Sequence, residues 1–250
     1  METLFVGKNL IFLPAVESTN SYAIELLKNV KPIEGTVVQT DYQTKGRGQR
    51  GAVWSSEPAS NLALSIIFHP TFLSASESFY LYMIAALACY DTTSHLLADS
   101  QFEIQIKWPN DIYVNRMKLG GILIENKLQG DYVQSSVIGI GLNINQTLFE
   151  GLNAVSLKLL AGKSFEREYV RNTLFAAIEK YYLLLKNNAK QALHQAYLSK
   201  LLGKDELLEF LYQGQICKMK VLGIAENGLI RLQKDNTEIT ADLGELRWLM

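Results

Sequence analysis

The sequence predicts an α+β fold, with a mixed or antiparallel sheet flanked by helices and a small β-barrel appended at the C-terminal end. Three observations carry this reading. Between Phe102 and Ile140 the chain runs as successive short strands joined by turns of a few residues, which points to antiparallel neighbours rather than βαβ crossovers. A long apolar helix follows Ser74-Ala75-Ser76-Glu77, which has the form of a capping box. From about Asp205 short strands alternate with Glu-Asn-Gly, Lys-Asp-Asn and Leu-Gly turns. The expected division is therefore residues 1–204 and residues 205–250.

In chain order, Thr19-Asn20 precede SYAIELLKN, where Tyr22, Leu26 and Leu27 share a helical face. Thr36–Asp41 reads as a strand feeding into the glycine-rich loop Gly46-Arg47-Gly48-Gln49-Arg50-Gly51. Leu62–Phe68 is a β-rich run stopped by Pro70. The apolar helix extends to about Leu97, and Phe102, Ile104, Ile106 and Trp108 alternate onto one side of a strand. Ile112–Val114, Leu119–Glu125 and Tyr132–Ile140 follow, with turns at Asn115-Arg116 and Gln129-Gly130-Asp131. Ser164 is placed to cap a helix carrying Tyr169, Leu174, Ile178 and Tyr181, with Glu166 and Glu168 in its first turn. Ile216–Ile224, Leu229–Gln233, Glu238–Ala241 and Leu246–Leu249 are the strands of the small barrel.

Composition excludes several classes. A net charge of −1 provides no basic field for nonspecific nucleic-acid binding. The N-terminal stretch METLFVGKNLIFLP lacks the pattern of an export signal, and no run approaches the roughly 18 apolar residues of a membrane span. The two cysteines, Cys89 and Cys217, and the three histidines, His69, His95 and His194, are scattered. That spacing fits reduced thiols in a cytoplasmic protein better than a disulfide or a metal centre. A helix-turn-helix DNA-reading module is not expected, because the site motifs begin by residue 18.

Two motifs are decoys. GRGQRG formally satisfies the dinucleotide-binding GxGxxG pattern, but AVWSSEPAS follows it where a helix is required. Gly162-Lys163-Ser164 resembles the end of a P-loop, yet Leu157 stands where its first glycine belongs.

The remaining constellation is chemical. The glycine loop allows backbone to fold closely over a ligand, and Arg47 and Arg50 suit oxyanions. Trp54 is suited to stack on a base or wall off an apolar ligand. In Lys107-Trp108-Pro109-Asn110-Asp111, Pro109 marks a strand end at which Asn110 and Asp111 can face a cleft. Lys118 enters the next strand, followed by Gly120-Gly121, where missing side chains admit a ligand. Together these residues suit a carboxylate and a nucleotide phosphate, as in an acid-activating ligase.

GRGQRGAVW, KWPNDIYVNRMKLGGILIEN and VIGIGLNIN, after an early ESTN, closely resemble biotin–protein ligases over residues 17 to about 145. The block ending Leu243-Gly244-Glu245-Leu246-Arg247 resembles that family's SH3-like C-terminal domain, and the whole resembles the short form without an N-terminal DNA-binding domain. The resemblance implies that ATP and biotin are substrates, accompanied by Mg²⁺. Biotinyl-5′-AMP forms first, and biotin then passes to a lysine of a biotin carboxyl carrier protein. It also implies roles. Ser18, Thr19 and Gln43 would meet the ureido ring, and Gly46 and Arg47 would cover biotin. Gly120 and Gly121 would line its tunnel, beside Leu119 and Ile122. Lys118, with Arg47, would serve catalysis. Trp54, Asn110, Asp111 and Asn143 would lie on the adenylate side, with Asp111 available to Mg²⁺ and no dedicated protein metal site.

One departure stands out: the family loop commonly reads GRGRxxR, and Gln49 and Ala52 replace its fourth and seventh residues. Arg50 or Lys45 would have to substitute, or the adenylate should escape more readily. A lipoate or octanoate ligase or transferase shares the fold, but polar Ser18, Thr19 and Gln43 disfavour an aliphatic chain. A non-catalytic biotin-responsive protein is the third reading. An exposed strand edge would suit the acceptor domain or a second copy of the chain, which leaves a homodimer open.

Overall fold

The computed structural model describes residues 2–98 and 101–249. Within them, β1 (Leu10–Val16), β2 (Thr36–Gln43), β3 (Leu62–Phe68), β4 (Ile104–Lys107), β5 (Asp111–Val114), β6 (Met117–Gln129) and β7 (Tyr132–Leu142) form one sheet. Its spatial order is β1-β2-β3-β7-β6-β5-β4. All its ladders are antiparallel except β1–β2, which α1 (Thr19–Asn29) connects as a crossover. The sheet is therefore mixed, as expected.

Alternation along these strands sorts residues onto two faces. Leu64, Ile66, Phe68, Ile122, Ile124, Ile138 and Ile140 enter the main core with α2 (Phe79–Leu97) and α4 (Arg167–Lys186). On the other face α1 lays Ala23, Ile24, Leu26 and Leu27 over Val38, Ile67 and Val137. Tyr22, expected on the buried face of α1, is exposed; Ala23 takes that place. α2 is apolar nearly all round because α4 and the sheet sandwich it.

β1 escaped sequence reading because Pro14 interrupts LIFLPAV, and Pro is confined to sheet edges, which is where β1 lies. The Ser74 capping box is present, but it opens a 3₁₀ turn at Ala75–Glu77, and α2 starts after Ser78. Ser164 does not cap α4: the helix begins at Arg167, and Glu166 holds the cap position. α3 (Leu157–Ala161) and α5 (Lys190–Leu198) are too short to show a clear period.

The C-terminal strands β8 (Leu207–Tyr212), β9 (Gln215–Ile224), β10 (Ile230–Lys234), β11 (Thr237–Ala241) and β12 (Leu246–Trp248) form a five-stranded antiparallel sheet in the order β11-β10-β9-β8-β12. β8 adds a strand to those expected, and among the described residues no ladder closes the sheet into a barrel. Its apolar face, with Phe210, Met219, Val221, Ile230 and Leu232, belongs to the same hydrophobic cluster as Ile106 of β4 and Trp108 in the turn that follows it. Trp108 Nε1 donates to Gly228 O across the junction at 2.9 Å. Among the described residues no helix is long and apolar enough to cross a membrane.

Candidate functional site

A cavity of about 260 Å³ opens on the α1 side of the large sheet. Its origin is a lack of side chains. Register places Gly121 beside Gly141, and Gly139 between Leu123 and Ser65, all on the face opposite the isoleucines that fill the core. Where α1 stops covering that face, the three glycines leave a trough. A Cβ on Gly139 would overlap the Asn20 amide, and one on Gly141 would lie 2.5 Å from the Trp54 indole. The glycines therefore admit Asn20 and Trp54 as walls.

Of the residues singled out in the sequence, Ser18, Thr19, Gln43, Arg47, Gln49, Trp54, Asn110, Asp111, Lys118 and Gly121 line this cavity. Ser18 caps α1 by accepting from Ser21 N–H at 3.4 Å, which turns Thr19 and Asn20 inward. Gln43 Oε1 accepts Thr19 N–H at 2.9 Å and lies 3.2 Å from Thr19 Oγ1, tying the end of β2 to α1. The glycine loop folds as a narrow hairpin, with Gly48 N donating to Ala52 O at 2.7 Å and Trp54 N to Gly46 O at 3.0 Å. Gly46 is buried, and a Cβ there would overlap the Trp54 carbonyl oxygen; its bareness closes the hairpin and does not face the cavity.

On the opposite wall Lys118 Nζ lies 2.7 Å from Asp111 Oδ1, from the adjacent strand β5. That oxygen is buried and outside hydrogen-bonding geometry, so the pair is Coulombic in character. Asn110 Nδ2 donates to Ile122 O at 2.7 Å, and Ile122 N returns a bond to Asn110 O at 2.9 Å, locking Asn110 to β6. Trp54 Nε1 is buried without a hydrogen-bond partner.

Two residues expected at the site lie behind it. Gly120 faces Leu142 and the Gly141 carbonyl, so its missing side chain serves strand packing. Asn143 is buried and donates to Val155 O at 3.1 Å, holding the segment that follows β7. Arg50, in left-handed backbone at φ 54°, faces the C-terminal turn, with its guanidinium 3.9 Å from Asp242 Oδ1. Lys45 pairs with Glu17 at 2.7 Å, well exposed. Neither of these cations lines the cavity. Gln49 donates to Tyr82 Oη at 3.0 Å.

A wider cleft adjoins the cavity through Gln49, Ala52, Asn110, Asp111 and Leu243. Arg50, Lys107 and Arg247 give it cations, and Gly244 and Trp248 bring the C-terminal sheet to its wall. Burial holds the Lys107 ammonium below the ordinary lysine value, while Asp111 pulls it back up. Lys107 Nζ donates to Tyr113 Oη at 3.3 Å.

Sequence reading missed Asn20, Glu125 and Leu243, which reaches the cavity from the small sheet. The alternation Ile138-Gly139-Ile140-Gly141 was the available signal for the trough. No sequence signal links Leu243 to residue 18. Among the described residues no group of three or more His, Cys, Asp or Glu gathers as metal ligands.

The model of the biotin/lipoate A/B protein ligase family matches residues 12–143. The chain is 34% identical over 187 residues to the bifunctional ligase/repressor BirA of Bacillus spizizenii, covering 73% of this chain and 56% of that protein. It is also 34% identical over 134 residues to the biotin–[acetyl-CoA-carboxylase] ligase of Paracoccus denitrificans, with 53% of each chain covered. The chain thus spans about half the length of the curated relatives it matches. Among solved structures, the biotin protein ligase of Aquifex aeolicus in complex with biotin and ATP superposes with a TM-score of 0.79 at 27% identity, over 96% of this chain and 98% of that one.

Proposed function

The chain belongs to the biotin/lipoate A/B protein ligase family, and we propose that within it the chain acts as an ATP-dependent biotin–protein ligase. Biotin's carboxylate attacks the α-phosphate of ATP, giving biotinyl-5′-AMP and pyrophosphate. A lysine amine of a biotin carboxyl carrier domain then attacks the mixed anhydride and releases AMP. The observation that carries this reading is a cavity lined both by uncharged hydrogen-bonding groups and by two cations. Ser18, Thr19 and Gln43 suit a ureido ring, while Lys118 and Arg47 suit a carboxylate and a phosphate. An aliphatic acyl chain would leave those polar groups unpaired, which favours biotin over lipoate or octanoate.

Bringing a carboxylate to a triphosphate sets two anions together. Lys118 and Arg47 offset that repulsion and stabilise charge developing at phosphorus, and positioning contributes the rest without a protein nucleophile. Trp54, over the glycine trough, offers a stacking face for adenine. The cation-lined cleft next to Asp111 suits the leaving pyrophosphate. Asp111, shared by both recesses, fits one carboxylate contact to a Mg²⁺ held mainly by phosphates and water, an ion that would offset triphosphate charge.

For the acceptor, β6 offers an edge. Among the described residues β5 pairs with β6 from Met117 to Gly121 only, so β6 runs on to Gln129 with β7 as its one strand neighbour. An acceptor strand or a second copy of the chain would fit there by backbone pairing. A cytoplasmic setting accords with ATP as substrate, and no role for DNA enters the reaction.

ATP–pyrophosphate exchange tests the reading, with biotin, lipoate and octanoate supplied separately. Exchange with biotin alone is expected. Exchange with lipoate would move the chain to the neighbouring branch of its family, and biotin binding without exchange would make it a responsive protein.

A further inference from the structure

Two carboxylates flank the cavity, each against one of its cations. Asp111 sits on Lys118, and Glu125 sits on Arg47, with Oε1 at 2.5 Å from the guanidinium. The second Glu125 oxygen accepts Asn20 Nδ2 at 2.9 Å. Asn20 is only 3% exposed. Its Nδ2 also reaches Leu123 O at 3.2 Å, and its Oδ1 accepts Ser65 Oγ at 2.6 Å. Ser65 Oγ lies 2.7 Å from Thr19 Oγ1, and Thr19 binds Gln43. A closed polar circuit therefore runs from Gln43 through Thr19, Ser65, Asn20 and Glu125 to Arg47, and the chain itself joins Arg47 back to Gln43. The circuit has one end on the cavity floor and the other on the loop that covers it.

We propose that Glu125 is a positioning residue that holds Arg47 across the cavity mouth and couples the glycine loop, through Asn20, to the polar floor. This rests on the reading of the cavity as an acid-activating site. A guanidinium is a planar fork. With one edge on Glu125 and Ser21 Oγ, which Arg47 reaches at 3.0 Å, its remaining N–H groups are oriented before an oxyanion arrives. The ordering cost of the arginine is then met in the free protein, which tightens binding without new contacts.

A double-mutant cycle tests this. Glu125→Gln, Arg47→Ala and the double variant are compared in the full chain by calorimetric biotin affinity, KM and kcat of pyrophosphate exchange, and release of free adenylate. Glu125→Gln should raise the acid KM and the release rate roughly tenfold and lower kcat in the direction that Arg47→Ala does, and should have no further effect once Arg47 is alanine. Additive effects would overturn the proposal. So would a lowered melting temperature with unchanged KM and release, because that is all a merely structural carboxylate would show. If Glu125→Gln does not fold, Glu125→Asp keeps the charge and withdraws it by one methylene, and the same non-additivity is expected at smaller size. The unaltered chain separates the two readings. Exchange with an acid other than biotin would sink the biotin assignment and leave the cycle to be run with that acid, whereas exchange with none would overturn both.

Discussion

On the proposed function, Gln49 is a side chain that would set the fate of the adenylate. Its amide spans to Tyr82 on α2, and its Oε1 is buried without a partner, where the family loop commonly carries a guanidinium. Arg50 and Lys45, the two cations that sequence reading offered as substitutes, are engaged with Asp242 and Glu17 away from the cavity. Arg47 and Lys118 are therefore the cations lining it. The adenylate should leave this chain faster than it leaves an arginine-bearing relative. A charge-assisted hydrogen bond contributes about 1.5–3 kcal/mol, so Gln49→Arg should slow release of free biotinyl-AMP by roughly tenfold or more. Release as slow in the unaltered chain as in the relative would refute this. Residue types at the site were legible because anion-handling chemistry needs glycines and cations. Directions were not, because Arg50 differs from Arg47 only in where the hairpin turns it.

At the scale of elements, periodicity located the long helices and inner strands, and it failed where a neighbour rather than a pattern holds the element. α4 shows this on its buried side. Glu179, 6% exposed, accepts backbone N–H from Leu4 at 2.7 Å, Phe5 at 2.8 Å and Val6 at 2.9 Å. It thereby anchors the segment leading into β1, a strand that Pro14 hid from sequence reading. Glu179→Ala leaves three donors without their acceptor. The expected cost is roughly 2–4 kcal/mol, enough to lower the melting temperature by several degrees in scanning calorimetry. An unchanged melting temperature would show that water replaces the carboxylate. The cap of α4 was misplaced for a related reason: Ser164 has the right chemistry, but Phe165 N is bound instead by Asn145 Oδ1, and the helix starts two residues beyond.

For the whole molecule, the two sheets share one hydrophobic cluster, and its aromatic members set the alkaline limit of the fold. Burial pushes the phenols of Tyr181, Tyr182 and Tyr197 far up, and pushes Tyr113 up to about 12. Hydrogen bonds to Asp91 and Glu34 add to the first two. In the unfolded chain a tyrosine loses its proton near pH 10, where the native phenols still hold theirs. The native state then binds more protons, so stability is intact below about pH 10 and falls as pH rises through the native values. Urea midpoints measured from pH 8 to 11.5 should decline above about 10, with tyrosinate absorbance rising as the chain unfolds; a flat profile would contradict the burial. By itself the sequence determined the α+β class, the place of most strands along the chain, and the residue types able to handle a carboxylate and a phosphate, because alternation, turn residues and charge are local properties. Only the tertiary structure decided the rest. Gly139 and Gly141 meet Gly121 in a trough, Asn143 and Gly120 fall behind it, Leu243 reaches it from the small sheet, and Glu125 takes hold of Arg47. The physical reason is that strand register and sheet order bring together positions far apart in the chain, and no local pattern encodes which of their faces meet.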